Sequence, residues 1–265
     1  MKKAASFALG CKVNQYESEA IAELFAEKGY EIVGIDEEAD VYVINTCTVT
    51  NFGDKKSRQL IRKVKRQNEN AIVAVVGCYA QTAPKELMEI AGVNLVIGTK
   101  DRAQIVEMVE QYDRANGVEN HVSDIMKERV FEPLSIQKLA NRTRAYLKIQ
   151  DGCSQYCSYC IIPYARGPIR SREPQGGVAE VKRLAENGFK EVVLTGIHVA
   201  SYGKDRRDTS LLDILKQVHE VEGIERIRFS SIEPNVVTEE FAQTMAALPK
   251  VCDHFHLSLQ SGCDK

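Results

Sequence analysis

Nothing in this chain of 265 residues is apolar for long enough to cross a membrane as a helix, which takes about 20 consecutive apolar residues. An export signal is missing too. Met1-Lys2-Lys3 followed by Ala4 to Cys11 imitates a lipoprotein leader that ends in a lipidated cysteine, but its apolar stretch is only about seven residues and reads equally well as a first buried strand. A cytoplasmic location without membrane attachment is therefore expected, with the eight cysteines reduced and not paired in a disulfide framework. On the same ground Asn141-Arg142-Thr143 is a glycosylation sequon in pattern only. Also lacking is a second CxxC-like pair at the distance that would complete a zinc ribbon. No strong excess of one charge exists overall: the net charge is −2, and 44% hydrophobic with 27% charged residues is the balance of an ordinary folded protein. The length exceeds that of one usual domain, so two are expected.

What the chain does have is Cys153, Cys157 and Cys160 in the spacing CxxxCxxC, with no further cysteine before Cys252. Three thiols this close on one loop can grip a single small metal centre. Three thiolates can ligate three irons of a 4Fe-4S cube and leave the fourth iron open to another ligand. A pure electron carrier closes its cluster with a fourth cysteine, and the ferredoxin runs use different gaps, so the spacing favours a reactive cluster over an electron carrier and over zinc.

The first 112 residues alternate between short apolar runs and helical patterns. Strands are expected at Ala5–Leu9, Val41–Asn45, Ile72–Val76 and Leu95–Ile97, with helices at Asn14–Lys28, Asp54–Asn68, Pro84–Ala91 and Asp101–Gln111. Such alternation implies a parallel sheet covered by helices. Cys11, Cys47 and Cys78 then fall just beyond three strand ends, on the edge where open α/β sheets bind ligands. One cysteine so placed is more often a packing residue; three at the same phase form a second three-thiolate site. Residues 113–141 lack a sustained period and read as a connector. From 142 to 265 a second alternation is expected: strands Arg144–Gln150, Glu191–Thr195, Arg226–Ser231 and His254–Leu259, helices Gln175–Asn187, Leu211–Glu220 and Thr238–Ala247. Repeated βα units make a parallel barrel or its opened form, and Cys153 follows the first strand onto the rim where barrel enzymes carry their chemistry.

Further motifs accompany the CxxxCxxC loop. They are Gly10-Cys11-Lys12-Val13-Asn14-Gln15-Tyr16-Glu17, Ile44-Asn45-Thr46-Cys47-Thr48-Val49, Val76-Gly77-Cys78-Tyr79-Ala80-Gln81, Ile149-Gln150-Asp151-Gly152-Cys153, Pro163-Tyr164-Ala165-Arg166-Gly167 and Leu259-Gln260-Ser261-Gly262. Together they resemble the radical S-adenosylmethionine (SAM) methylthiotransferases, in the family's order and over nearly the whole chain. The resemblance implies an N-terminal α/β domain at 1–112 that holds an auxiliary 4Fe-4S cluster on Cys11, Cys47 and Cys78. After the 113–141 linker it implies a radical SAM partial barrel at 142–265, in which Cys153, Cys157 and Cys160 are the catalytic ligands of a second 4Fe-4S cluster that binds SAM. It further implies SAM contacts at Tyr159, Gly196, Glu233 and Gln260, although Gly196 reads equally as a turn residue, Glu233 as a neighbour of a helix cap and Gln260 as a loop hydrogen-bonder. Cys252 and Cys263 read as packing or incidental thiols, and His198 has no partner at metal spacing. Family barrels have about six βα units and a following RNA-binding domain, so the chain looks like the N-terminal portion of a longer enzyme, truncated after its fourth barrel strand.

In that family one SAM methylates a sulfur of the auxiliary cluster and a second yields a 5′-deoxyadenosyl radical, and the product is a methylthio group on carbon 2 of a hypermodified adenine next to the tRNA anticodon. The implied partners are tRNA and a reductant such as flavodoxin or ferredoxin. Lys12 to Glu17 resembles the branch acting on threonylcarbamoyladenosine. The branches acting on isopentenyladenosine or on a ribosomal-protein aspartate are the alternatives, and a non-enzymatic iron-sulfur or zinc nucleic-acid-binding protein is the alternative of another class. Charge is consistent with RNA. Lys55, Lys56, Arg58, Arg62, Lys63, Lys65 and Arg66 face Asp54 alone between 54 and 67, and basic residues return at Arg142, Arg144 and Lys148 and at Arg166, Arg170 and Arg172. The plainer reading of each run is a solvated surface.

Overall fold

The structure, a computed structural model, describes residues 1–48, 51–136 and 144–263. Val49, the last residues of the expected connector, the sequon Asn141–Thr143 and with it Arg142 lie outside the described residues, as does the side chain of Asp54. The chain forms two compact units, one of residues 1–135 with 154–168, the other of 136–153 with 169–265.

The first unit opens with β1 (Lys3–Ala8), α1 (Lys12–Glu27), β2 (Glu31–Ile32), β3 (Val41–Thr46), α2 (Asn51–Gln67) and β4 (Ile72–Gly77). It continues with α3 (Cys78–Thr82), α4 (Pro84–Met88), β5 (Leu95–Ile97), α5 (Ile105–Gln111) and β6 (Glu119–Asn120). The strands form one parallel sheet in the order β2-β1-β3-β4-β5-β6. Its strands are apolar on both faces because both are covered. Val41 and Val43 of β3 meet Ile21 and Phe25 of α1 and Ile105 and Val109 of α5, while Tyr42 and Ile44 meet Ile61 and Val64 of α2 and Leu87 of α4. The short β6 lies within the stretch that reads as a connector and pairs with β5 through Leu95↔Glu119 and Val96↔Asn120.

The second unit begins with β7 (Arg144–Asp151). The next element, α6 (Ile162–Arg166), belongs to the 154–168 segment of the first unit. Then come β8 (Arg170–Ser171), α7 (Pro174–Glu186), β9 (Glu191–Gly196), α8 (Leu211–His219), β10 (Arg226–Phe229) and α9 (Glu239–Ala247). The sheet runs β10-β9-β7-β8, with β7, β9 and β10 parallel and β8 antiparallel to β7. Helices α7 and α8 cover its apolar face through Val181, Leu184, Ile214 and Val218 against Ala145, Leu147, Val192 and Leu194. Three βα units, β7 with α7, β9 with α8 and β10 with α9, make a partial barrel, as expected. The fourth strand expected at His254–Leu259 does not form. That segment has only the bridge Ile232↔Leu257, and Leu257 and Leu259 remain exposed, because no ladder of consecutive pairs holds it beside β10.

Candidate metal centres

Three neighbouring strands of the first sheet deliver three cysteines to one edge. Thr46 of β3 pairs with Gly77 of β4 and Ala8 of β1 with Asn45 of β3, so the residues that follow these strands leave the sheet at nearly the same level. Cys47 directly follows β3, Cys78 opens α3 directly after β4, and Cys11 caps the start of α1 after a two-residue turn from β1. Both turns rely on glycine. Gly10 has φ +112°, and a Cβ there would fall 2.6 Å from the Cβ and 2.9 Å from the Sγ of Cys47. Gly77 has φ +95°, and a Cβ there would meet the Asn45 Oδ1 at 2.3 Å. Cys47 therefore packs directly on the backbone beside Cys11, and Cys11 and Cys78 share the field of Arg166.

A buried polar network surrounds these thiols. Arg166 and Glu17 are both 0% exposed. The guanidinium of Arg166 donates from Nη1 to Glu17 Oε1 at 2.6 Å, from Nη2 to Glu17 Oε2 at 3.1 Å and to Asn14 Oδ1 at 2.9 Å, and from Nε to Cys78 Sγ at 3.1 Å. Asn14 also accepts from Cys11 Sγ at 3.1 Å and donates from Nδ2 to Thr46 O at 2.8 Å and Asn45 Oδ1 at 3.0 Å. Behind Glu17 stands Arg102, 2.6 Å from its Oε2, which in turn pairs with Glu132 at 2.5 Å. Burial pushes the Cys78 thiol up from its ordinary pKa while the Arg166 cation pulls the other way. Cys11 keeps a solvent-facing side, yet the protein around its sulfur removes enough water to raise its thiol as well, again against Arg166. Burial thus favours the thiol form of Cys11 and Cys78, and a bound metal would favour the thiolate.

In the second unit Cys153 is buried two residues after β7, past Gly152 at φ +72°. Gln150 shapes the turn. Its Nε2 donates to Asp151 O at 2.7 Å and Gly152 O at 2.6 Å, and its Oε1 accepts from His198 N at 2.8 Å. Gly196, expected near SAM, ends β9 where a Cβ would lie 2.8 Å from Gln150 Oε1, so this glycine lets the Gln150 side chain pass. Glu233 stands 3.1 Å from His198 Nε2, and His198 Nδ1 meets Ser201 Oγ at 2.5 Å. His198 thus has a carboxylate partner that the sequence did not show. Gln260 is exposed with φ +69°. Cys157 and Cys160 belong to the 154–168 segment, where Cys160 N donates to Cys157 O at 2.9 Å in a tight turn. Tyr159 is 76% exposed between them.

Among the described residues, no three His, Cys, Asp or Glu side chains are gathered around a single-ion position. A four-iron cube needs its thiolates spread more widely than one ion does, and an all-thiol donor set is the one such clusters take. Cys11, Cys47 and Cys78, at one sheet edge with a cation directed at one sulfur, fit that group.

The basic runs divide. On α2, Lys55, Lys56, Arg62, Lys63 and Arg66 are exposed over the buried stripe Ile61 and Val64, although Lys63 is paired with Asp36. Lys56, Arg62 and Arg66 line an open cleft of about 600 Å³ with Phe7, Leu9 and Leu60. The other runs, as far as the described residues go, are mostly buried. Lys148 is buried against Asp151 at 2.6 Å with Arg170 at 3.6 Å from the same oxygen, Arg172 is buried against Glu180 at 2.6 Å, and Arg166 serves the network above; among the described residues of these runs only Arg144 is exposed. Buried charges must be paired, and here the partners are carboxylates of the protein itself.

The CxxxCxxC loop opens directly after β7, the first strand of the helix-covered second sheet, and residues 147–265 match the Radical SAM superfamily. The fold agrees. A solved structure of the radical S-adenosylmethionine methyltransferase TsrM from Kitasatospora setae superimposes with a TM-score of 0.64 at 16% identity, over 94% of this chain and 57% of that one. Residues 3–98 match the family described as Uncharacterized protein family UPF0004. The threonylcarbamoyladenosine tRNA methylthiotransferase MtaB of Bacillus subtilis (strain 168) is 49% identical over 263 residues, 99% of this chain and 58% of that protein. The tRNA-2-methylthio-N(6)-dimethylallyladenosine synthase of Dictyoglomus thermophilum is 35% identical, over 97% of this chain and 59% of that protein. Over nearly its whole length the chain is similar to radical SAM methylthiotransferases. It spans about three fifths of the length of these relatives.

Proposed function

We propose that this chain is the cluster-bearing portion of a tRNA methylthiotransferase that places a methylthio group on carbon 2 of N6-threonylcarbamoyladenosine beside the anticodon. The observation that carries the reading is the presence of two three-cysteine sets, each where the chain leaves the C-terminal ends of parallel strands. Cys153, Cys157 and Cys160 hold the 4Fe-4S cluster to which SAM binds, by their spacing. Cys11, Cys47 and Cys78 hold a second one, by their shared sheet edge. When bound, SAM and its cluster supply a radical able to take hydrogen from an unreactive C–H bond.

The protein's own share is binding and orientation. Gly196 and Glu233 lie at or beyond strand ends of the second sheet, where loops of such folds hold small molecules, Gln260 is exposed in the segment after the single bridge at Leu257, and Tyr159 presents an exposed ring between two cluster cysteines. The exposed cations of α2 hold the RNA backbone, while a splayed-out loop base is accessible to the chemistry. The cell compartment is the cytoplasm, where tRNA and a low-potential reductant such as flavodoxin or ferredoxin are at hand. The greater identity to a relative named for threonylcarbamoyladenosine, 49% against 35% for one named for dimethylallyladenosine, supports the branch. The test is mass spectrometry of tRNA nucleosides from cells with and without the full-length gene. Loss of the methylthio form of threonylcarbamoyladenosine alone is expected. Its persistence, or loss of the methylthio form of isopentenyladenosine instead, would contradict the assignment.

A further inference from the structure

We infer that Arg166 is a positioning residue of the Cys11–Cys47–Cys78 centre: its Nε–H, directed at Cys78 Sγ, sets the reduction potential of the cluster held there. The inference rests on the proposed role of these cysteines as cluster ligands. The Nε stands 3.1 Å from the sulfur, with both groups buried. A guanidinium needed only as a structural counter-ion is fully served by Glu17, which takes both Nη1 and Nη2. The remaining donor is nevertheless turned to the thiol. Its orientation is fixed from behind: Glu17 is shared with Arg102, Arg102 with Glu132, and Asn14 accepts from Nη2 while its own amide is spent on Thr46 O and Asn45 Oδ1. Two arginines and two glutamates balance in charge, but the cationic end of the chain of pairs is the one that touches sulfur. The helix that carries Arg166 starts with Pro163 in its first turn and stops at Gly167, φ +69°, so the guanidinium is delivered by a short, sharply ended element.

The physical consequence concerns electrons. A charge-assisted hydrogen bond to a cluster thiolate favours the more negative, reduced state, and hydrogen bonds to the sulfurs are among the terms that set the potential of such clusters. Removing the donor therefore shifts the potential in the negative direction.

The test uses this chain with Cys153, Cys157 and Cys160 replaced by Ala, so that only the first centre can load iron. Anaerobic reconstitution is followed by a dithionite-poised redox titration read by electron paramagnetic resonance, with iron content and circular dichroism as controls. Arg166→Gln is expected to keep its fold, because Glu17 retains Arg102, and to titrate at a more negative midpoint with an altered resonance. Arg166→Lys, which keeps the charge without the directed Nε–H, should fall between it and the parent. The double variant Glu17→Gln with Arg166→Gln removes any unpaired carboxylate and should show the same negative shift. If Arg166→Gln loses its iron, Arg166→Lys carries the comparison, and an unchanged midpoint and resonance in it overturns the inference. Full iron loading with an unchanged midpoint and resonance in both Gln-bearing variants overturns it while leaving the cluster assignment intact. A parent that binds no iron through Cys11, Cys47 and Cys78 takes down both.

Discussion

Replacing Gly10 by alanine tests whether the first cysteine centre is built by backbone contact. Two costs can be separated. The backbone cost comes from φ +112°, a region alanine adopts at about 1–3 kcal/mol. The contact cost comes from the new methyl, placed 2.6 Å from Cys47 Cβ and 2.9 Å from its Sγ. Cysteine is too short to swing clear without moving the end of β3, and overpacking of this kind costs about 1–3 kcal/mol. The sum, about 2–6 kcal/mol, is a large part of the 5–15 kcal/mol or so that holds a domain folded. Gly29→Ala is the control, because φ is +86° there and a Cβ would meet nothing within 4 Å. Urea unfolding and iron per chain after anaerobic reconstitution give the readout. Gly29→Ala should lose about 1 kcal/mol and keep its iron, whereas Gly10→Ala should lose several times as much stability together with the iron of the first centre. If the two variants behave alike in both assays, the close approach of Gly10 to Cys47 does not build the site.

Other expectations follow from the same geometry. Reconstitution of the unaltered chain should load about eight irons, falling to about four when Cys11, Cys47 and Cys78 are replaced together; near-stoichiometric zinc would contradict this. Glu17→Ala leaves the buried guanidiniums of Arg102 and Arg166 without their shared carboxylate and should cost about 3–5 kcal/mol in urea unfolding, against under 1 kcal/mol or so for an exposed pair such as Lys190 with Glu225. Replacing Arg62, Lys63 and Arg66 by Gln should flatten the dependence of log tRNA affinity on log salt by about 2, with iron content unchanged, since each phosphate contact contributes roughly 0.7–0.9 and Lys63 is already engaged by Asp36. An unchanged slope would make the face of α2 a solvated surface only.

Much of the architecture was legible because it rests on local pattern. The runs at Val41–Asn45 and Ile72–Val76 became β3 and β4 with residues alternately serving two cores, and the placement of Cys47 and Cys78 at strand ends followed directly. What escaped depends on partners far along the chain. Arg166 looks like one more cation beside Arg170 and Arg172 until Glu17, 149 positions earlier, is seen against it. Lys148 and Arg172 have carboxylate partners close in sequence, Asp151 and Glu180, and there it is the burial of the pair that the charge pattern does not report. Glu17, in register with the buried residues Val13, Ala20 and Ile21 of α1, was the available signal, since a charge on the inner face of an amphipathic helix requires a counter-ion. His198 lacked a partner at metal spacing in sequence and found Glu233 through the turns after β9 and β10. The alternation in His254–Leu259 suits a strand, but a strand also needs a ladder of pairs, which alternation cannot report.

The central claim is that the two cysteine sets divide the labour, and in the full-length enzyme two substitutions test it together. SAM cleavage to 5′-deoxyadenosine under dithionite and formation of methylthiolated nucleoside in tRNA are measured for Cys157→Ala and for Cys47→Ala, each checked for fold by circular dichroism. The account predicts that Cys157→Ala abolishes both, whereas Cys47→Ala retains cleavage and yields no methylthiolated product. Equal loss of cleavage in both folded variants, or methylthiolated product from Cys47→Ala, would contradict it.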